Sequence, residues 1–170
     1  GLCEKLKPSP ALNEIFPTAR FKDDIAAGVT MGMTGLAYNK KMFAEKGWAA
    51  PTSWMDMADP KFKGKVVFQS MPSSSFGLHG FLMFNRIKGG TEANVEPGFA
   101  AWKSSIGPNV LEYIPSSAKI SEMVQTGEAA LFPLTPTAVA ALKSKGIPVE
   151  YAQPKEGSVV LMTGQCVIAK

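Results

Sequence analysis

Three short hydroxyl runs carry the chemistry this sequence offers: Ser73-Ser74-Ser75, Ser116-Ser117 and Thr135-Pro136-Thr137. Each follows an apolar run and opens a stretch with helical spacing. A hydroxyl at a helix start accepts from the free N–H groups of the first turn. Left open, those N–H groups and the positive end of the helix dipole hold an oxyanion. One such start is a plain cap. Two or three on one rim of a sheet make a small-molecule site, because ligands in open α/β sheets bind at the carboxyl ends of strands. Catalytic patterns are otherwise sparse. Ser116-Ser-Ala-Lys119 matches the Ser-x-x-Lys pattern, which sets an amine one helical turn from a hydroxyl so that it can take the proton. The companion Ser-Asp-Asn and Lys-Thr-Gly motifs are absent, so Ser116 and Lys119 read as a cap and a solvated lysine. His79, the only histidine, lies in an apolar helix with no Asp, Glu or Cys at ligand spacing, and reads as a buried, hydrogen-bonded or partly exposed imidazole rather than a metal ligand or catalytic group. There is no Gly-x-Ser-x-Gly elbow, no phosphate-binding Gly-x-x-x-x-Gly-Lys loop and no His-Glu-x-x-His. No enzyme, metal or cofactor is expected.

The elements that must position these residues alternate. The chain is organised around Gly28–Asn39, where strict alternation and β-branched residues predict a strand, and its glycines let a neighbour approach the backbone. Lys40–Lys46 reads as a helix closed by Gly47. Ser53 and Asp56 resemble a capping box. A short strand over 65–69 leads into an apolar helix over 76–88, in which Gly77 and Gly80 permit close packing on a sheet. A weaker helix is expected over 91–106, interrupted at Pro97-Gly98 and anchored by Phe99 and Trp102. Strands over 109–114, 129–134 and 148–151 are separated by helices over 116–126 and 138–145. The last segment, Ser158–Ala169, reads as one long extended run. Residues 1–17, rich in proline, read as an irregular lead-in with an apolar patch at Ala11, Leu12, Ile15 and Phe16. This order predicts an α/β fold with a mixed sheet.

Composition sets the bounds. The chain has 170 residues, 45% hydrophobic and 19% charged, which is ordinary for a globular domain. Its net charge of +4 is spread out and not interleaved with aromatics, so no nucleic-acid partner is expected. No apolar run approaches the roughly 18 residues of a membrane helix. With no signal peptide and no initiator Met, the chain reads as a processed or truncated piece. Cys3 and Cys166 lie too far apart for a metal or redox motif, leaving two buried thiols or one end-to-end disulfide.

Several motifs carry a family resemblance. Thr34-Gly-Leu-Ala-Tyr-Asn39, Pro51-Thr-Ser-Trp-Met-Asp56 and Asp59-Pro-Lys-Phe-Lys-Gly-Lys65 resemble the solute-binding proteins of ABC importers. The branch they resemble holds the polyamine, ferric-iron and aminoethylphosphonate receptors. Gly127-Glu128 and Pro154-Lys-Glu-Gly157 fit the same family. The resemblance implies a periplasmic-binding-protein type II-like lobe, with a mixed five- to six-stranded sheet flanked by helices. Residues 1–28 would be a lead-in from a missing first lobe, 29–163 the second, inserted lobe, and 164–170 a return strand. Ligand-facing positions carried over are Thr34, Gly35, Ser73, Ser74, Ser75, Thr135, Thr137, Met162 and Thr163. Polyamine receptors place an aromatic and acids around the segments matching Thr135 and Leu161–Gly164, and this chain has none there. Ferric receptors use neighbouring tyrosines, whereas Tyr38, Tyr113 and Tyr151 stand apart. The expected ligand is therefore a small anionic or zwitterionic solute. The expected partner is an ABC permease, the expected state a monomer and the expected compartment the periplasm. That oxidising setting favours a Cys3–Cys166 disulfide. A ligand-sensing domain of a transcription regulator shares the fold and stays open as the alternative.

Overall fold

Glycine and proline punctuate the chain, and the regular elements fall between them. The computed structural model describes residues 2–169. In order these elements are β1 (Cys3–Glu4), α1 (Pro10–Glu14), β2 (Ala27–Asn39), α2 (Lys40–Lys46), β3 (Val66–Gln69), α3 (Ser75–Ile87) and α4 (Glu96–Ser104). There follow β4 (Val110–Ile114), α5 (Ala118–Gln125), β5 (Leu131–Leu134), α6 (Pro136–Ser144), β6 (Val149–Ala152), β7 (Val159–Gln165) and β8 (Val167–Ile168). Asn39 shows how local chemistry sets a boundary. Its side-chain oxygen accepts from the Met42 N–H at 3.0 Å and caps α2, while its amide donates to the carbonyls of Val124 and Ala129. Gly47, at φ 65°, closes α2 in the left-handed region that favours glycine.

The main sheet is six-stranded and mixed, running β4-β3-β5-β2-β6, with β7 paired to β2 off that path. Strand β3 is parallel to β4 and β5, and β2 is antiparallel to β5 and β6. Gln69 lies opposite Ile114, Gly35 opposite Leu134 and Leu36 opposite Ala152. One rim therefore gathers the carboxyl ends of β3, β4, β5 and β6 and the Gly35 end of the paired part of β2. Each face of the sheet carries its own core. Phe68, Phe81, Phe84 and Trp54 centre one, with α3 and α4 packed on it. Val67, Phe132, Ile120, Met123 and Val139 centre the other, with α5 and α6. Alternation along β3 sends Phe68 to the first and Val67 to the second, as the period of two requires.

The chain resolves into two compact units. Met33–Val159 is one, and residues 1–32 with 160–170 form the other. The first holds nearly all of the buried apolar side chains. The second buries only Leu12 and Ala19 among its described hydrophobics. It is held instead by the antiparallel β1–β8 pair, by Cys3 and Cys166 within bonding distance (Cα–Cα 5.8 Å), and by a two-point Arg20–Asp24 ion pair at 2.6 and 3.0 Å.

The structure corrects four local readings. The weaker helix begins at Glu96, so Pro97 occupies its first turn and starts the helix instead of interrupting it. Phe99 is 41% exposed and anchors less than Trp102, which packs edge-on against Phe68 and Phe84. The lead-in contains a helical turn, α1, capped by the Ser9 hydroxyl, and of its apolar patch Phe16 stays 80% exposed. The final extended run divides into β7 and β8.

Candidate functional site

The order of the strands singles out part of the rim. After β3 the chain enters α3 and α4 on one face of the sheet. After β4 and β5 it enters α5 and α6 on the other. Where successive connections leave on opposite faces, a crevice opens at the strands' carboxyl ends. The three hydroxyl runs stand at these points, one after each of β3, β4 and β5.

Their hydrogen bonding differs. After β3, the N–H groups of Ser73 and Ser74 and the Ser73 hydroxyl all donate to the Ser70 carbonyl, forming a tight turn. Ser74 makes no side-chain cap, and the first helical bond runs from the Leu78 N–H to the Ser74 carbonyl. The N–H groups of Ser75, Phe76 and Gly77 thus have no acceptor among the described residues. Gly77 presses on the Gln69 carbonyl and Gly80 on the Phe68 ring and Pro133, where any side chain would collide, so α3 lies hard against the sheet. At α5, Ser117 also makes no side-chain cap, so the sequence reading of a cap in this run is not met. At α6 the Thr135 hydroxyl accepts from Ala138 N–H at 3.2 Å and does cap its helix. The amine of the Ser-x-x-Lys pattern is engaged elsewhere. Lys119 donates to both oxygens of Glu112 at 2.6 and 2.7 Å, and this hydrogen bonding holds its ammonium above the ordinary lysine range.

Thr34 and Gly35 reach the same rim from β2. Thr34 is only 1% exposed, with its hydroxyl 3.0 Å from Nδ1 of His79. Burial pushes the His79 pKa below its ordinary value, so the imidazole is neutral and shares one hydrogen bond with the threonine. Gly35 admits the Tyr151 ring, whose hydroxyl would overlap any side chain there. Tyr151 donates to Gln153 at 3.1 Å and lies 3.1 Å from the Ser158 hydroxyl. Of the nine expected ligand positions, Thr34, Gly35, Ser73, Ser74, Ser75, Thr135 and Thr137 therefore share the rim of the Met33–Val159 unit. Met162 and Thr163 lie on β7 in the other unit, where Met162 sits against Gly28 and Thr163 is exposed.

One rim residue escaped the sequence reading. Gln69 ends β3 and is 0% exposed. Its Nε2 donates to the Pro133 carbonyl at 2.7 Å, and its Oε1 has no partner. The available signal was a lone amide closing the otherwise apolar Val66-Val-Phe-Gln69, with a proline in the neighbouring Leu131-Phe-Pro-Leu134.

The family-like motifs have a separate place. The Ser53–Asp56 capping box forms, with Asp56 accepting from the Thr52 and Ser53 N–H groups at 2.7 and 3.0 Å. Ser53 Oγ donates to Glu156 at 2.5 Å, Trp54 N–H donates to the other Glu156 oxygen at 3.3 Å, and the Trp54 indole donates to the Gly157 carbonyl at 2.9 Å. Pro51–Asp56 and Pro154–Gly157 are thus partners in one corner. Asn109 ties the Asp59–Lys65 motif by donating to the Met57 and Asp59 carbonyls. Among the described residues no group of three His, Cys, Asp or Glu side chains is placed to hold a metal, and no helix is long and apolar enough to cross a membrane.

Comparison with known proteins matches residues 1–170 to a family described as bacterial extracellular solute-binding protein. An uncharacterized Haemophilus influenzae protein is 27% identical over 173 residues, covering 99% of this chain and 48% of the relative. Among solved structures, the periplasmic binding protein AfuA from Actinobacillus pleuropneumoniae, with fructose-6-phosphate bound, is 25% identical. It aligns with a TM-score of 0.81 over 99% of this chain and 52% of its own. The periplasmic binding protein P5PA is 26% identical with a TM-score of 0.79, over 98% of this chain and 52% of its own. The chain spans about half the length of the relatives it matches.

Proposed function

We propose that this chain, which belongs to the bacterial extracellular solute-binding protein family, is one lobe of an ABC importer's receptor and captures a small anionic or zwitterionic solute at the β3–β5 rim. Its α/β architecture is that of a type II periplasmic-binding-protein lobe, and its structural relatives are binding proteins rather than enzymes. The observation that carries the reading is the open start of α3. Three backbone N–H groups without acceptors stand beside the Ser73 and Ser75 hydroxyls, and residues 70–75, 115–117 and 135–137 contain no acid. Such a surface favours an oxyanion, whereas a cation there would be desolvated without a counter-charge. AfuA, crystallised with a sugar phosphate, supports the same choice. In this reading the second half of the receptor supplies the remaining contacts. A membrane permease receives the solute, and the receptor acts as a monomer in the periplasm. In that oxidising compartment Cys3 and Cys166 form a disulfide.

Isothermal titration of the full-length receptor against sugar phosphates, phosphonates, carboxylates and polyamines tests this. The expected result is binding of an anionic solute, weakened about 10-fold or more in a Ser73→Ala/Ser75→Ala double variant, since hydrogen bonds to a charged group are worth ~1.5–3 kcal/mol each. Tight polyamine binding, with none for any anion and no effect of the double variant, contradicts it.

A further inference from the structure

We infer that the cavity between α3, α4 and the β4 edge of the sheet is a second binding site, which takes a small molecule carrying one neutral aromatic ring. Its walls do not use the open N–H groups of α3, so the site stands apart from the anion reading of the rim.

Strand β4 ends the sheet on this side, since it pairs only with β3. Phe68 and Tyr113 lie opposite each other on these two strands. Helix α3 adds Phe81, α4 adds Phe99 and Trp102, and Met71 closes the wall from the turn after β3. These six side chains bound a cavity of about 150 Å³. Protein interiors leave few voids larger than a water molecule, and the lining of a void loses dispersion contacts. Phe68 and Phe81 are buried and form the floor, while Phe99 and Tyr113 are about half exposed and form the mouth. The cavity is therefore rooted in the core and open to a ligand from outside.

The lining selects the occupant. The Trp102 indole N–H donates to the Tyr113 hydroxyl at 2.8 Å, so the polar atoms of the walls are turned on each other. Water needs two to four polar partners, and an apolar cavity of this size stays dry and accepts benzene. An anion meets no basic side chain among the six. A cation meets no counter-charge either. Glu112, next to Tyr113 in sequence, lies opposite Val67 of the other face and is held by Lys119 at 2.6 and 2.7 Å. The ring geometry also disfavours a cation, which is drawn to ring faces alone. Around this cavity the pairs are steeply inclined, at 73° for Phe68–Trp102, 68° for Phe68–Tyr113 and 64° for Phe81–Trp102. Negative faces and positive edges thus both border the space, and a neutral aromatic ring can pack against each of them.

The test titrates toluene, and separately tetramethylammonium, into the ¹⁵N-labelled full-length receptor. Toluene should shift the Trp102 indole signal saturably and leave the Trp54 indole in place. In Phe99→Ala, which alters a half-exposed wall, toluene affinity should fall about 10-fold, since the variant removes both buried area and an aromatic contact. No saturable Trp102 shift, or unchanged affinity in the variant, overturns the inference. A larger shift with tetramethylammonium than with toluene also overturns it, in favour of a cation cage. A Trp102 signal that moves with protein concentration alone assigns the cavity to a second copy and overturns it as well. If the variant does not fold, nuclear Overhauser contacts from toluene to the Phe68, Phe81 and Trp102 rings are sought in the unaltered protein, and their absence overturns the inference.

Discussion

At the corner where Pro51–Asp56 meets Pro154–Gly157, Ser53 accepts from the Met55 N–H and donates to Glu156, and Asp56 takes two backbone N–H groups. Glu156 takes one more, and the Trp54 indole finds a carbonyl. At the start of α3 the same residue types behave differently. Ser74 leaves its helix uncapped, three N–H groups face no acceptor, and Gln69 behind them keeps a bare oxygen. Both places belong to the Met33–Val159 unit and both join strand ends to helical turns. Polar groups that satisfy one another hold the fold together. Open N–H groups at a strand's carboxyl end are the ones that the proposed function assigns to a solute.

Three substitutions sharpen that contrast. Trp54→Ala should have the largest effect on stability. The side chain is fully buried in the core of the first face, so its loss should cost ~3–5 kcal/mol, read by urea denaturation. A cost below about 1 kcal/mol would show that the corner is not structural. Glu156→Gln comes next, at ~1–2 kcal/mol for the weakened hydrogen bonds. It also carries a pH signature. Burial raises the Glu156 carboxyl, but the Ser53 hydroxyl and the backbone N–H groups of Glu156 and Trp54 outweigh it and hold the pKa below the ordinary carboxylate value. The folded state thus binds this proton less readily than the unfolded chain. Its contribution should be complete above the unfolded value of about 4.3 and disappear as pH falls through the folded value. The variant's stability should therefore change less than the parent's between roughly pH 5 and 3. The smallest effect belongs to the rim, where Ser73→Ala/Ser75→Ala should change unfolding free energy by no more than about 0.5 kcal/mol. A larger loss would move those hydroxyls from the binding surface to the scaffold.

The contrast also explains what was legible in the sequence. Gly28–Asn39, the Asn39 cap, Gly47 and the Ser53–Asp56 capping box depend on neighbours within a few residues, so their chemistry is written locally. Two of the motifs that carried the family resemblance, Pro51–Asp56 and Pro154–Gly157, proved to be partners in a structural corner, so they spoke for the fold and said little about the ligand. The rim was legible only as hydroxyl runs after apolar strands. Whether a hydroxyl caps its own helix, as Thr135 does, or leaves it open, as Ser74 and Ser117 do, depends on backbone geometry that residue type does not encode. Gln69 was hidden because its meaning lies in Pro133, 64 residues away and joined to it only through the sheet. Thr34 was read as facing the ligand, and the contact of its hydroxyl with His79, 45 residues on, was not legible in the sequence.

The most direct test of the central claim compares the two places in one experiment. An anionic solute that binds the full-length receptor is titrated into ¹⁵N-labelled protein, and amide shifts are followed at both. The account predicts large shifts at Ser75, Phe76 and Gly77, with Ser53, Trp54 and the Trp54 indole unmoved. Saturable binding that leaves the α3 amides in place would contradict it.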